Sequence, residues 1–534
     1  MKVFDRKVLI KELKEEVIWD LVIIGGGATG LGIAVDAASR GFKTLLTEQE
    51  DFAKGTSSRS TKLVHGGVRY LAQGNISLVK EALKERGLLL QNAPHLTKNE
   101  SIIIPCYSWL KAGLYATGLT FYDWLSGSLS LGKSKIISKK ELIKRLPTLK
   151  KESLKCGVLY HDGTFDDARL AINLAQTCVE HGGVVINYCK VVSLIKSANN
   201  ISGATVLDKE TGNIYEIKAK VVVNATGVFV DDIIKMDNAG SKSLIRPSQG
   251  IHLVLDCSFL KSKDSIMIPH TEDGRVLFAI PWYDKVIIGT TDTPLNNHSL
   301  EPRALESEIE FVLNTAGKYL SKKPEKKDVL SVFAGLRPLA ATDDGNEKTK
   351  EISRSHKVII SDSGLVSVIG GKWTTYRKMA EDTLSKIIKR KMLPNKKCIT
   401  EDLKIHGYTH EKPNGAFSYY GADKIKLDAL ISSNILWAEP LDKETNIVAG
   451  QVVWAIRNEM AGTVEDFLAR RVRVLFTDAN LAMKLAPEVA EIMMKELCQD
   501  EVWKEMQIQS FTELANGYLV KSDLNPVVKN ICSK

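Results

Sequence analysis

Apolar positions along this chain fall into short continuous runs and longer helix-spaced stripes, and their order predicts an α/β architecture. Leu21 to Ile24 is a short apolar run, the pattern of a parallel strand buried on both faces. Glycines from Gly25 to Gly30 interrupt it, and the alanine-rich stretch Leu31 to Arg40 reads as a helix. Lys43 to Thr47 repeats the strand pattern and stops at Glu48. Further on, Gly182-Gly183 leads into the apolar Val184 to Ile186, and Val221 to Val223 runs into Asn224-Ala225-Thr226-Gly227. Leu365 to Ile369 predicts another strand, broken by Gly370-Gly371-Lys372 before a helical pattern from Thr374 to Ile388. Strands alternating with helices in this way predict a largely parallel, Rossmann-like sheet.

Other segments follow a different pattern. Arg275 to Trp282 and Lys285 to Thr291 read as two strands joined by a tight turn at Tyr283-Asp284. His252 to Leu255 adds a further strand, and the set predicts an antiparallel sheet that closes one side of a pocket. After Ile388 the basic residues Lys389-Arg390-Lys391 and Lys396-Lys397 flank Pro394 and mark a linker. Helical periodicity then dominates, as in Val448 to Met460 and Thr463 to Phe476. The 534 residues exceed what one core serves. The predicted division is a discontinuous dinucleotide-binding domain (16–95, 150–240 and 355–392), a substrate domain with the antiparallel sheet (96–149 and 241–354), and a C-terminal helical domain (398–534).

Composition narrows the class. With 44% hydrophobic and 26% charged residues the chain has the balance of a globular protein. The net charge of +9 suits an anionic substrate or an anionic membrane surface. No recognition motif accompanies it, so nucleic acid is not an expected partner. The eight cysteines form neither a C-x-x-C pair nor a metal-like cluster, which predicts thiols in a reducing, cytoplasmic setting and no metal site. Met1 to Glu16 mixes acids and bases without an apolar core, unlike a signal peptide, and no apolar run reaches the length of a membrane span.

Candidate chemistry begins at Gly25, Gly27 and Gly30, which have G-x-G-x-x-G spacing. In that motif the first glycine makes the tight turn, the second lets the backbone approach a pyrophosphate, and the third permits close helix–strand packing. Glu48 falls where a ribose hydroxyl needs an acceptor. The fingerprint does not separate NAD from FAD, but the later strand ending in Ala225-Thr226-Gly227 suits FAD enzymes of the two-dinucleotide-fold type.

Downstream, Thr56 to Lys62 is a hydroxyl-rich basic loop able to donate to phosphate oxygens and flavin carbonyls. It leads into Val64-His65-Gly66-Gly67-Val68-Arg69-Tyr70-Leu71, where Gly66 and Gly67 would admit a flat ring. His65 titrates in the right range for a general base, and a core histidine explains it equally well. Arg69 beside Tyr70 makes an anion clamp. Gly370-Gly371-Lys372 joins strand to helix with anion-binding geometry, and Arg337 is expected at another strand-to-turn junction. Two arginines and a lysine exceed the needs of a neutral substrate, so a phosphate or carboxylate ester is predicted.

These motifs together resemble the FAD-dependent, respiratory glycerol-3-phosphate dehydrogenase family. The likeness rests on Ile24 through Asp36 with Arg40-Gly41, on Thr56 through Leu71, and on Gly370 through Ala380. Arg337 in Gly-Leu-Arg-Pro and His252 in Gln-Gly-Ile-His agree with it. It extends from about Trp19 to Ile388 and more loosely through the helical domain; Leu31 departs from it, where a small residue is expected. The resemblance implies non-covalent FAD held by Gly25, Gly26, Gly27, Ala28, Thr29, Gly30, Glu48, Thr56, Ser57, Ser58, Thr61, Lys62, Leu63, Gly66, Gly67, Ala225, Thr226, Gly227, Gly371, Lys372, Trp373 and Thr374. It implies oxidation of sn-glycerol 3-phosphate to dihydroxyacetone phosphate, with hydride passing from C2 to flavin N5. Arg69, Tyr70, Arg337 and Lys372 match the family's substrate positions, Arg354 is a further neighbour, and His65 and His252 are both candidates for the base.

The resemblance also implies a quinone as electron acceptor and a peripheral enzyme on the cytoplasmic face of the inner membrane. Tyr107, Trp109, Tyr115, Phe121, Tyr122 and Trp124 have the aromatic density of a bilayer interface, and the basic linker could meet anionic headgroups. A packed aromatic helix and a solvated linker explain them equally. A homodimer is left open. Competing readings are a glycerol-3-phosphate oxidase using oxygen, a related FAD-dependent amine or hydroxy-acid oxidase, and a non-catalytic or tRNA-modifying FAD scaffold.

Overall fold

The computed structural model describes residues 2–72, 74–269, 271, 274–341, 356–410 and 415–520, apart from the side chains of Arg69 and Ala72. The chain begins a dinucleotide unit with β1 (Ile18–Ile24), α1 (Ala28–Ser39) and β2 (Thr44–Thr47). It crosses to a second sheet through β3 (Thr97–Cys106), α2 (Trp109–Ser126) and β4 (Cys156–Phe165), then returns through α3 (Asp167–Glu180), β5 (Val184–Ile186) and β6 (Ile214–Asn224). The second sheet is completed by β7 (Ile245–Asp256), β8 (Leu277–Trp282), β9 (Lys285–Gly289) and β10 (Val329–Ala340). After these come β11 (Val366–Ile369), α4 (Tyr376–Lys389) and, farther on, α5 (Ala449–Glu459), α6 (Ala479–Leu497) and α7 (Glu501–Asn516).

In the first sheet, β11, β6, β1, β2 and β5 lie side by side and parallel. Their apolar residues are buried on both faces, as such a sheet requires. The register places Ile24 opposite both Thr47 and Asn224, so β1, β2 and β6 end together. The turns after them, at Gly25, Glu48 and Ala225, therefore share one crevice, and Gly370 follows β11 beside β6. Leu31, the one departure from family pattern, is fully buried in the core beneath α1.

The second sheet is antiparallel apart from a parallel contact made by β3. Its longest pairing joins β7 to β10 and sets Ser248 opposite Arg337, Gly250 opposite Gly335 and His252 opposite Phe333. The predicted domain boundaries need correction here. Strand β4, expected within the dinucleotide unit at 150–240, pairs residue by residue with β3 and belongs to the second sheet, as does the short strand Leu63–Val64. Neither segment stops being a good strand by sequence; only its partner decides the sheet.

The expected C-terminal helical domain packs directly on the second sheet. Val452, Phe467, Leu475 and Phe476 share one apolar cluster with Val254, Trp282, Ile287 and Phe333 of the second sheet. The expected helix from Thr463 to Phe476 is broken into a wide π-type turn, Asp466–Arg471, and a single turn, Val474–Thr477, with Arg473 between them at φ +68°. The distortion has a cause on the opposite face. Arg471 clasps Asp51 with both guanidinium nitrogens (2.6 and 3.0 Å), and Arg470 pairs with Asp51, Glu465 and Asp466. Arg473 donates to Asp167 Oδ1 at 2.9 Å and to the Ser58 carbonyl at 2.8 Å. A straight helix would spread these three arginines around its circumference, and the π-type turn lets them converge.

Asp51 is fully buried; burial pushes its carboxyl up, but Arg471 and Arg470 outweigh that and hold it below the ordinary carboxylate range. Asp51→Ala would strand two buried guanidiniums, and a loss of about 3–5 kcal/mol is expected in chemical unfolding. Glu465 is likewise held down to about 2 by Arg470 and Lys54 against the opposing effect of burial. Its folded value lies below its ordinary 4.5, so its contribution is complete above pH 4.5 and disappears as pH falls toward 2. Thermal melts across that window should show a steeper decline for the native chain than for Glu465→Gln.

Candidate functional site

A cleft of about 620 Å³ runs between the two sheets, lined at one end by the crevice of the parallel strands and at the other by β7 and β10. The crevice end is built by exclusion of side chains. Gly25 takes φ +109°, and a Cβ there would lie 2.8 Å from the Ala225 carbonyl oxygen. A Cβ on Gly30 would overlap the Gly25 carbonyl oxygen, so α1 can begin against the turn only because that atom is missing. Gly27 opens onto Ser57, whose Oγ accepts the Ala28 N–H at 2.9 Å. Glu48 accepts the Gly26 N–H at 2.6 Å and the Glu50 N–H at 2.9 Å through its two oxygens. Burial raises the Glu48 carboxyl, with these two N–H groups opposing the rise. A helix N-terminus, a glycine turn and a carboxylate acceptor suit a pyrophosphate and a ribose.

The middle of the cleft is walled by the 56–61 loop and the 371–374 turn. Thr56 Oγ1 donates to the Leu336 carbonyl at 2.6 Å, and Trp373 Nε1 donates to the Ser57 carbonyl at 2.8 Å, so the two walls are fastened to each other and to β10. The Thr374 hydroxyl accepts the His65 backbone N–H at 3.3 Å. Thr29, Leu63, Thr226 and Gly227 also line the space.

At the far end His252, Arg337, Lys372, Tyr70 and His65 all line the cleft. Arg337 lies within β10 opposite Ser248, rather than at the strand-to-turn junction the sequence suggests. Its guanidinium rests where a Cβ of Gly250 would be, and it donates to the Gln249 carbonyl (3.3 Å), Asp292 (3.3 Å), Thr290 Oγ1 (3.1 Å) and the Thr291 carbonyl (2.9 Å). Such a fork is pre-organised, and among the described residues one carboxylate, Asp292, faces it. Lys372 places Nζ 5.2 Å from the centre of the Tyr70 ring. His252 is 3% exposed, stacks on Phe333 at 4.9 Å, and pairs Nε2 with Thr61 Oγ1 at 2.9 Å. Among the described residues its Nδ1, also buried, has no hydrogen-bond partner. Burial, then Lys62 and Arg337, push the imidazole down to about 3, so it is neutral across the working range.

Several sequence assignments are redirected. Lys62 does not line the cleft; it is fully buried, with Nζ 2.6 Å from Asp167 and 2.7 Å from the Ser58 carbonyl. Ser58 turns its carbonyl to Lys62 and Arg473, away from the cleft. Gly66 and Gly67 are glycines for the protein's own packing rather than to admit a ring. A Cβ on Gly66 would lie 2.6 Å from the Tyr122 hydroxyl, and Gly67, at φ +80°, has the Tyr70 ring on its Cβ side. Gly26 and Gly30 shape the turn from beneath and do not line the space. The Arg69 backbone lies in the short helix Val68–Ala72, and its side chain falls outside the described residues, as does all of Arg354.

Sequence reasoning missed Arg59 as a wall residue. It donates to the Ala334 carbonyl (3.3 Å) and to Glu301 (2.7 Å), and Gly335 has no Cβ because Arg59 passes so close. It also missed Gln249, Thr290 and Asp292 as the supports of Arg337. Arg59, Gln249 and Thr290 lay within segments already singled out, but nothing local indicated which neighbour each would meet.

Comparison with known proteins bears on this site. A family model described as FAD dependent oxidoreductase matches residues 20–377, and one described as the C-terminal domain of alpha-glycerophosphate oxidase matches 365–504. The mitochondrial glycerol-3-phosphate dehydrogenase of Schizosaccharomyces pombe is 36% identical, over 97% of this chain and 90% of its own. The Homo sapiens enzyme of that name is 36% identical over 97% of this chain and 76% of its own. A crystal structure of glycerol-3-phosphate dehydrogenase from Bacillus halodurans complexed with FAD superposes with a TM-score of 0.76 at 30% identity, covering 98% of this chain and 99% of that one. Gly30→Ala should abolish retention of the flavin while leaving a folded chain, as read from flavin absorbance per chain and circular dichroism.

Proposed function

Because the chain belongs to the family of FAD-dependent glycerol-3-phosphate dehydrogenases, we propose that it oxidises sn-glycerol 3-phosphate to dihydroxyacetone phosphate at the β7–β10 end of its cleft. The observation that carries this reading is the convergence of Arg337, Lys372, Tyr70 and His252 on one end of a dinucleotide cleft. Two cations there suit a phosphate dianion, and the Arg337 fork is already held by Gln249, Thr290 and Thr291. Neutral His252 takes the proton of the C2 hydroxyl. The bound dianion offsets Arg337, one of the charges that depress the imidazole, so substrate itself makes His252 a better base. His65 stays a neighbour, braced through its backbone on Thr374. FAD, which Gly25, Gly27, Ser57, Thr226 and Thr374 of the crevice would hold, would supply the acceptor for the C2 hydride, with a quinone as the proposed onward acceptor.

A quinone implies contact with a bilayer, and α2 suits it. Trp109, Leu110, Leu114 and Trp124 are 62–85% exposed along this helix, while Ala112, Leu119 and Tyr122 are buried beneath it. The exposed Lys133, Lys135, Lys139 and Lys140 follow close behind. No helix among the described residues is long and apolar enough to cross a membrane. The proposed location is therefore peripheral, on the cytoplasmic face of an anionic membrane.

Oxygen as acceptor is the second reading, favoured by the C-terminal model named for alpha-glycerophosphate oxidase. Stoichiometric hydrogen peroxide during turnover would select it over a quinone.

Glycerol 3-phosphate should bleach the yellow holoenzyme anaerobically, and its failure to do so would remove the substrate assignment. Arg337→Ala is expected to lower kcat/KM by about 2–4 kcal/mol, roughly 30- to 1,000-fold, in steady-state assays. Trp109→Ser/Leu110→Ser/Trp124→Ser should leave solution turnover with a soluble dye unchanged and abolish co-sedimentation with anionic liposomes.

A further inference from the structure

Beneath the reacting end lies a buried charge cluster that the chemistry above does not use. Lys62, Asp167 and Arg473 are each fully or almost fully excluded from solvent. Lys62 Nζ and Arg473 Nη2 bind opposite oxygens of the Asp167 carboxylate and share the Ser58 carbonyl. The same carboxylate accepts the Ser60 N–H at 3.1 Å and the Ser60 hydroxyl at 2.6 Å. Asp166 faces Arg473 at 3.6 Å and receives the Tyr283 hydroxyl at 2.8 Å, so the cluster holds two cations and two carboxylates. Trp282, Phe333 and Phe476 surround the Lys62 ammonium at 5.2–5.5 Å.

This arrangement pins residues 58, 60 and 62, and Thr61 lies between them. Thr61 carries the hydroxyl that meets His252 Nε2, and Phe333, which lies against Lys62, is the ring on which His252 stacks. Imidazole position and loop position are thus set by one cluster, contributed by the flavin loop, the start of α3 and the C-terminal region. Groups of either charge bear on His252 from each side: Lys62 and Asp167 from below and Arg337 from β10.

We propose that Lys62, held by Asp167, is a positioning residue that keeps Thr61 as the acceptor of a His252 Nε2–H and so fixes the tautomer and orientation of the imidazole. This inference rests on His252 being the base. Nδ1 is buried and has no hydrogen-bond partner among the described residues, so among them the Thr61 contact is the hydrogen bond that orients the ring. It also gives the C-terminal region a part in the chemistry: Arg473 completes a support that the dinucleotide unit cannot build alone. The buried charges are costly to desolvate, and they are retained where geometry matters more than stability.

The test uses the holoenzyme labelled with 15N-histidine, whose ten histidines are few enough to resolve. Loss of one imidazole signal in His252→Asn assigns it. The native protein should show His252 as a single neutral tautomer protonated at Nε2. Thr61→Val and Lys62→Met should each mix the tautomers and lower kcat roughly 10- to 100-fold with KM nearly unchanged, and Thr61→Ser should restore both. Combined in one chain, the two losses should be far from additive. If Lys62→Met does not fold, Thr61→Val against Thr61→Ser decides the matter alone. A native tautomer protonated at Nδ1, or additive losses, would overturn the inference while leaving the base assignment intact. Unaltered kcat in His252→Asn would instead sink the base assignment.

Discussion

Everything around the cleft depends on neutralising two buried carboxylates that the dinucleotide unit satisfies only in part. Asp51 and Asp167 flank the loop that walls the middle of the site, and arginines from residues 470–473 supply most of their counter-charge. A buried carboxylate without a partner is costly, and these arginines tie the C-terminal region to the loop. The break in the expected helix is the backbone's concession to that requirement. Regularity is given up at the place where three guanidiniums must point one way.

The two sheets contribute different things to the cleft. The parallel sheet offers backbone: a glycine turn, a helix N-terminus and the coincident ends of β1, β2 and β6. The antiparallel sheet offers side chains at fixed register, so that Arg337 and His252 project from neighbouring strands two pairing steps apart on either side of the Gly250–Gly335 pair. That glycine pair explains the closeness of the layers, since Arg337 crosses one member and Arg59 the other. Removal of side chains is here as constructive as their presence.

Electrostatics at this end of the cleft set a neutral imidazole beside cations. His252 is kept uncharged by burial, by Lys62 and by Arg337, and Lys372 lines the same end. In the proposed reaction, substrate charge would enter a site whose cations are already in place, with little reorganisation required of the protein. Among the described residues Arg337 is held by the Gln249 and Thr291 carbonyls, the Thr290 hydroxyl and the Asp292 carboxylate.

What the sequence determined by itself was whatever depends on neighbours along the chain. The strand–glycine–helix unit at Ile18–Ser39, the acceptor at Glu48, the strand carrying His252, and the turn at Gly370-Gly371 were all legible. Periodicity and a missing Cβ act within a few residues. Tertiary structure alone decided that β4 joins the second sheet, that Gly66 makes room for Tyr122 rather than a ring, and that Lys62 faces Asp167 instead of the cofactor. It also decided that helices with no chemical motif of their own reach the flavin loop through Arg470, Arg471 and Arg473. Buried charge is satisfied by partners hundreds of residues away, and local pattern carries no record of which partner that will be.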